Sequence, residues 1–187
     1  NELIDKDSLI VREYVEGKYL VLDLMGNIPP VEYPMHFGQP TDKHIWNAFH
    51  GGWCKTVDLD FWQKGSETLA IKKGDCEDSS IAFVTCARAL GLYPSEVYEV
   101  FGVVKDAFSL EILGGHGWVL SQHIPDTKFR LYESTLDEPP KEYPVVKDIT
   151  KPVTIGNVIY EPEMLWNDKK FMEWSSLWKT GGEGLGI

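Results

Sequence analysis

A chain of 187 residues is long enough to fold as one domain around a real hydrophobic core, and 43% apolar with 25% charged residues is ordinary for a soluble globular protein. The formal net charge of −11 argues against a nucleic-acid partner, because phosphate binding needs clustered Lys and Arg. The adjacent pairs Lys72-Lys73 and Lys169-Lys170 read as solvated surface and form no such cluster.

No apolar run approaches the roughly 20 residues that a membrane-spanning helix requires. The chain starts at Asn1 with no charged-then-apolar leader in view, and a removed signal peptide would leave no trace. Cys54, Cys76 and Cys86 are too few for a disulfide framework and contain no C-x-x-C pair, so neither a stapled fold nor a zinc site is expected. With an odd number of cysteines, at least one thiol is unpaired within the chain.

Taken in chain order, Tyr14 to Leu24 is a mixed apolar segment that suits a strand or a short helix, and Gly26 to Pro40 reads as an extended loop. Residues 44–53 suit one or two helical turns stopped by Gly51-Gly52. Residues 56–73 look helical or looped, with Ser66 as a cap and Glu67 in the first turn. The clearest helix begins near Cys76. Asp75 is placed to cap it, and Asp78 three residues later resembles the far half of a capping box. Ile81 to Ala87 is apolar on nearly every face, which predicts a buried helix, and Gly91 is a C-cap candidate.

Val97 to Val104 is a β-rich run, and Trp118 to Leu120 and Phe129 to Tyr132 read as two strands joined around Pro125-Asp126. Beyond residue 139 the chain is Pro-rich, then aromatic, then glycine-rich, with 180–187 expected as a mobile tail. The aromatic stretch 166–178 suits a C-terminal helix carrying Trp174 and Trp178 on one face. Helix first and strands after favours an α+β fold, with an antiparallel sheet packed on a central buried helix.

A nucleophilic cysteine needs its thiolate available near neutral pH, and a helix N-terminus favours the anion through its free N–H groups and its dipole. Cys76 stands at such an N-terminus, after Gly74, which would let the backbone turn sharply. A histidine must then reach the sulfur, and a third group must orient the histidine. His116 lies between glycines at a loop-to-strand junction, and Glu133 ends the following strand. If those strands are antiparallel neighbours, the two side chains meet at adjacent strand ends.

Residues 62–92, containing Gly74-Asp75-Cys76-Glu77-Asp78 and Arg88-Ala-Leu-Gly-Leu, resemble the nucleophile segment of the transglutaminase-like superfamily. Gly115-His116-Gly117-Trp118-Val119 is similar to its His-Ala-Trp-Val strand, with glycine in place of the commoner alanine. Tyr132-Glu133-Ser134-Thr135 resembles its acid-Ser/Thr strand end. The three blocks lie within residues 58–137, less than half of the chain, inside a single domain whose catalytic core would span about 44–137. The resemblance implies a papain-like fold and chemistry through a thioester on Cys76, with His116 as base and Glu133 as orienting acid. It implies a protein or peptide substrate. Members include proteases, amide hydrolases and cross-linkers.

Two features depart from that pattern. Glutamate stands where aspartate is usual, which makes Asp137 the reserve acid. The resemblance is weak before residue 44 and after residue 140, so no substrate-binding element carries over.

Asp75, Glu77 and Asp78 sit beside the nucleophile, and like charge raises the pKa of a thiol. Either these carboxylates point away and cap the helix or pair with Lys or Arg, or they hold a cation. Bacterial periplasmic members that cleave surface adhesins have a similar Asp-Cys-Glu-Asp segment and use calcium there. The resemblance therefore marks Asp75, Glu77 and Asp78 as weak calcium candidates, and no other cofactor is expected.

The plainer readings are core packing for Cys86, no evident partner for Cys54, and surface or core roles for His44, His50 and His123. His36 could line a cleft. Most of the tryptophans, Trp46, Trp53, Trp62, Trp118, Trp166, Trp174 and Trp178, are expected to be packing residues. An oxyanion hole would take the Cys76 N–H and a second donor, for which Gln39 and Trp62 are candidates. The leading functional expectation is a thiol hydrolase of a peptide or isopeptide bond. The alternatives are acyl transfer at the same site, a catalytically silent protein-binding domain, and a calcium-binding structural module. The oligomeric state is left open by the sequence.

Overall fold

The computed structural model describes residues 2–16, 35–36, 39–40, 62–72, 74–123, 127–134 and 143–173. Its helices are α1 (Leu9–Val15), α2 (Gly65–Ile71) and α3 (Cys76–Ala89). A two-stranded ribbon pairs β1 (Met35–His36) with β2 (Gln39–Pro40). The main sheet contains β3 (Val97–Asp106), β4 (Ile112–His123), β5 (Lys128–Tyr132), β6 (Val145–Val146), β7 (Val153–Ile155), β8 (Val158–Trp166) and β9 (Phe171–Glu173). Its order is β6-β5-β4-β3-β8-β7, with β9 also paired to β8, and every pairing is antiparallel. This is the α+β architecture expected, with α3 packed across β3 and β4.

The central strands alternate between two cores. Val97, Val119, Tyr132 and Trp166 pack with Ile81, Phe83 and Val84 of α3 on one face. Their neighbours Tyr98, Trp118, Leu131 and Leu165 build a second core on the other face. Strand geometry sends successive side chains to opposite faces, so a sheet covered on both sides reads as nearly continuous apolar sequence. From Glu77 to Ala87 every residue of α3 is buried, in keeping with its all-round apolar pattern. Gly91 closes the helix at φ +101°, a conformation that suits glycine.

Several local expectations are corrected. The first helix lies over Leu9–Val15, earlier than the 14–24 segment, whose remainder from residue 17 lies outside the described residues. Ser66 does not cap α2. Lys64 takes the N-cap position, and Glu67 accepts its N–H at 3.0 Å. Ser66 instead gives its backbone N–H (3.0 Å) and its hydroxyl to Asp5, a carboxylate from a distant segment that no local pattern reveals. Trp166 belongs to β8 rather than to a C-terminal helix, and 171–173 is strand. The expectations for 44–53, the turn at 125–126, Trp174, Trp178 and the 180–187 tail lie outside the described residues.

Two long-range ties hold the C-terminal strands to the helix layer. The Arg88 guanidinium in the last turn of α3 meets Asp168 at 2.6 Å with both side chains largely buried. Asn167 donates from Nδ2 to the carbonyls of Pro94 and Val97, each at 2.8 Å, at the entrance to β3.

Helix α2 approaches α3 closely because Gly65 has no side chain: a Cβ there would lie 2.2 Å from Thr85 Oγ1, inside the core. Gly65→Ala is expected to destabilise the fold by about 1–3 kcal/mol through overpacking. Gly114→Ala, where a Cβ meets nothing within 4 Å, is expected to stay within about 0.5 kcal/mol of wild type. Urea unfolding midpoints of the two variants check the contrast.

Candidate active site

The N-terminus of α3 comes down on β4 at Gly117. A Cβ at that position would stand 2.8 Å from the Glu77 Cα and 3.0 Å from Glu99 Oε1. The bare backbone therefore explains the glycine found where the resembling pattern carries alanine: this chain seats its helix against the strand and places a carboxyl beneath it. Gly74 also acts through close approach rather than through an unusual turn. It is not among the glycines of positive φ, and a Cβ there would lie 2.5 Å from Asp78 Oδ2.

Cys76 is the first residue of α3 and is half-buried, whereas Cys86 is fully buried in the core, as expected; Cys54 lies outside the described residues. His116 lies within β4, whose first residue is Ile112, rather than at the loop-to-strand junction expected, because the flanking glycines pair with β3; Glu133 follows the last residue of β5. The two strands are antiparallel neighbours, with Val119 opposite Tyr132. His116 Nε2 and Glu133 Oε2 are 2.6 Å apart, with the Glu133 side chain only 6% exposed. The glutamate arm thus reaches the imidazole directly; the reserve acid Asp137 lies outside the described residues. With Nε2 engaged, Nδ1 is the ring nitrogen left for the thiol, and Cys76 is near enough to bear on the protonation of the ring.

Burial on its own would lower the His116 pKa. The hydrogen bonds to Cys76 and Glu133 and the charges of both outweigh it and raise the imidazole to about 10. Tyr160 of β8, which the sequence offered no reason to select, donates its hydroxyl to Glu133 Oε2 at 3.1 Å. Its ring lies 6.0 Å from His116 and edge-on to Trp118 at 5.4 Å. Burial, then the neighbouring Glu133, raises the Tyr160 pKa, so the phenol remains a donor. Only the pairing of β8 with β3 brings this residue to the site, 27 positions beyond Glu133.

The acidic residues beside Cys76 divide in direction. Asp78 turns inward and accepts from Gln63, from the backbone N–H at 2.7 Å and from Nε2 at 2.5 Å. Burial pushes its carboxyl up to about 7. The contacts with Gln63 and the nearby Asp75 backbone N–H pull the other way. The Asp75 side chain makes no cap bond, contrary to expectation. Its Oδ1 is buried with no hydrogen-bond partner among the described residues, because the side chain gathers with Cys76 and Glu77 instead.

Glu77 does not point away either, since it accepts from the Cys76 thiol at 3.0 Å. Ligand atoms of Asp75, Cys76 and Glu77 lie within 4.8 Å of one another. The Asp75 and Glu77 carboxylates fit a hard divalent cation, while Asp78 is committed to Gln63.

A clamp of serines joins nucleophile and acid. Ser80 donates to the Cys76 carbonyl at 2.7 Å and meets the Ser134 hydroxyl at 3.1 Å, and Ser79 donates to the Ser134 carbonyl at 3.2 Å. Trp62, one candidate for the second oxyanion donor, has its ring stacked on Trp166 at 5.8 Å, and the side chain of Gln39 lies outside the described residues.

No family model and no curated protein matches the chain by sequence. By structure it is similar to LapG of Legionella pneumophila. An EGTA-treated form aligns with a TM-score of 0.50 and 12% identity over 89% of this chain and 73% of that one. A second LapG structure aligns with a TM-score of 0.50 and 12% identity over 88% and 74%. A calcium-bound form gives 0.45 and 16% identity over 97% and 77%. The likeness establishes a shared papain-like, transglutaminase-like fold at a distant level.

The raised imidazole has a consequence for stability. An unfolded His titrates near 6.5 and the folded His116 near 10. Its protonated form therefore contributes stability in full below about pH 6.5, and that contribution is lost as pH rises through about 10. The destabilisation caused by His116→Ala is expected to be larger at pH 6 than at pH 10.5. Urea unfolding of both proteins across that range measures the difference.

Proposed function

We propose that this chain is a cysteine-dependent amide hydrolase of a single catalytic domain, acting on a peptide or isopeptide bond. The observation that carries this reading is the hydrogen-bonded pair of His116 and Glu133 at 2.6 Å, with Cys76 at a helix N-terminus beside the same imidazole. In the reactive form of the site the proton of the Cys76 thiol has left Glu77 and the imidazole is the cation. The Cys76 sulfur attacks the amide carbonyl, and the C–N bond breaks as the imidazolium gives its proton to the leaving amine. Neutral His116 then takes a proton from water, whose oxygen attacks the thioester. The acid product leaves, and the sulfur is free again with the proton on His116. The Cys76 N–H at the start of α3 faces the developing oxyanion. Glu133, held by Tyr160, keeps the imidazole in the tautomer and orientation this cycle needs.

Asp75 and Glu77 would hold a calcium ion in the same reading, supported by the buried Asp75 Oδ1, which has no hydrogen-bond partner among the described residues. The ion would supply local positive charge next to the nucleophile. Calcium is expected to raise the melting temperature relative to EGTA, an effect absent from Asp75→Asn/Glu77→Gln. Equal melting curves of the wild type in the two conditions would remove the ion from this account.

The central test is alkylation with iodoacetamide over a range of pH, mapped by mass spectrometry. Cys76 is expected to react selectively well below about pH 8.5. His116→Ala is expected to slow the reaction, and in a peptide-cleavage assay to lower kcat about 10²–10⁴-fold. A Cys76 no more reactive than an ordinary thiol, and indifferent to His116→Ala, would point to a binding domain instead.

A further inference from the structure

Strand β4 is longer than the strand that covers its outer side. It pairs with β3 from Ile112 to Ser121, but with β5 only from Val119 to His123. From Ile112 to Trp118 it has no strand on that second side among the described residues. The cause is local. After Tyr132 the chain gives Glu133 to His116, and Ser79 and Ser80 of α3 hold Ser134, so the chain is drawn off β4 toward the helix. The direction of the main-chain groups follows from the ladder. Gln122 donates its N–H to the Glu96 carbonyl on the β3 side, and alternation then turns Val119, Gly117 and Gly115 toward the β5 side. The Leu131 N–H, which donates away from β4 to the Pro144 carbonyl, fixes the same phase from β5. Gly115 is exposed, and its N–H and C=O have no partner among the described residues.

The uncovered edge leads away from His116 into an apolar turn. Phe108 is 87% exposed, and Leu110, Ile112 and Leu113 are exposed beside it. The turn is ordered by its own hydrogen bonds. Asp106 Oδ1 accepts the N–H of Phe108 at 2.9 Å and of Ser109 at 2.7 Å, and the Leu110 N–H bonds the Asp106 carbonyl at 2.9 Å. Leu110 sits at φ +61°, where asparagine or glycine is at ease, and Leu113 is the extra residue of a β-bulge between the Val104–Gly114 and Lys105–Ile112 pairs. These side chains stay in water, so the core gains nothing from their being apolar; a contiguous apolar patch of this kind marks an interaction site. Between the turn and His116 lie Gly114 and Gly115. A Cβ on Gly114 would meet nothing within 4 Å, so a second backbone has room to approach.

We propose that this strip, from Gly115 to the apolar turn, is an exosite that takes an unfolded, extended polypeptide segment as an added strand. An edge of unpaired main-chain groups is satisfied by another extended backbone. The position names the occupant: the strip starts beside His116, so a chain paired with Gly115 passes the Cys76 site, as a substrate must. Three residues of strand separate Gly115 from Ile112, which puts the turn about 10 Å or more from the reacting groups. Asp106 and Glu111 lie at the turn, and Lys105 is paired with Glu161, so the segment carries apolar side chains with neutral or basic neighbours. The net charge of −11 opposes a second copy of this chain as the occupant. The proposal deepens the Cys76–His116 reading and rests on it for calling the occupant a substrate.

The test measures, by fluorescence anisotropy, the binding of labelled lysozyme to the Cys76→Ala protein, which cannot cleave it. The probe is unfolded by reduction and capping of its cysteines, and native lysozyme is the folded control. The unfolded probe is expected to bind and the native one not. Phe108→Ser/Leu113→Ser, at exposed positions, is expected to weaken binding about tenfold. Gly115→Pro, which removes the outward N–H, is expected to weaken it to a similar extent. Urea midpoints establish that each variant folds, and if Gly115→Pro does not, the serine pair decides. With Cys76 restored, Phe108→Ser/Leu113→Ser is expected to leave Cys76 alkylation by iodoacetamide within about twofold of wild type, because the turn is remote from the thiol.

Failure of the unfolded probe to bind, equal binding of native lysozyme, or equal affinity of the serine variant and its parent would each overturn the proposal. So would a dimer in sedimentation that the serine pair dissociates, since a second copy would then be the occupant. His116→Ala separates the two readings: a Cys76 alkylation rate indifferent to His116 removes the activated pair, while binding that depends on the strip still stands.

Discussion

The close seating of α3 on β4 at Gly117 is the constraint from which the site follows. With only hydrogen at that position, the Glu77 Cα can stand where a Cβ would be 2.8 Å away. That approach brings Cys76, the first residue of the helix, to the strand that carries His116. The same missing side chain leaves space for Glu99. A methyl group at this point would push apart the helix and the sheet, and with them the nucleophile and its base.

Around this seat the electrostatics are managed mostly by removing charge rather than by pairing it. Asp75 and Glu77 gather at the Cys76 thiol, and two further acidic residues, Asp78 and Glu99, are buried nearby. Burial raises Asp78 to about 7 and Glu99 well above its usual range, so both tend toward the neutral form. Glu133 remains the acid that faces His116, and the imidazole near 10 is the cation of the site. A low-dielectric floor that neutralises its carboxyls strengthens the His116–Glu133 pair above it. Tyr160 and the serines contribute direction, holding Glu133 and the first turn of α3 without adding charge.

The distribution of polar contacts fits a site built on rigid elements. Each group comes from a helix start, a strand or a strand end, and each is tied to a second element: Cys76 to β4 through His116, Glu133 to β8 through Tyr160, and α3 to the end of β5 through Ser134. The likeness to LapG, at 12% identity, is one of fold.

What the sequence determined by itself was whatever depends on short spacing. The apolar run from Ile81 to Ala87 announced a buried helix, Gly91 its end, and Val97 to Val104 a strand. Cys76 and Glu133 could be selected because a helix start and a strand end are local features, and His116 because it sits between glycines in the sequence, although it lies inside β4 rather than at its start. The strands after residue 139 were not legible: β6, β7 and β9 are two or three residues long, too short to show a period, and are held by pairing with longer strands. Asp5 on Ser66, Gln63 on Asp78 and Tyr160 on Glu133 were equally hidden. Each joins residues that only the packing of α3 and the order of the sheet bring together. Local propensity has no access to such contacts, because their partners are chosen by which faces must be buried against one another.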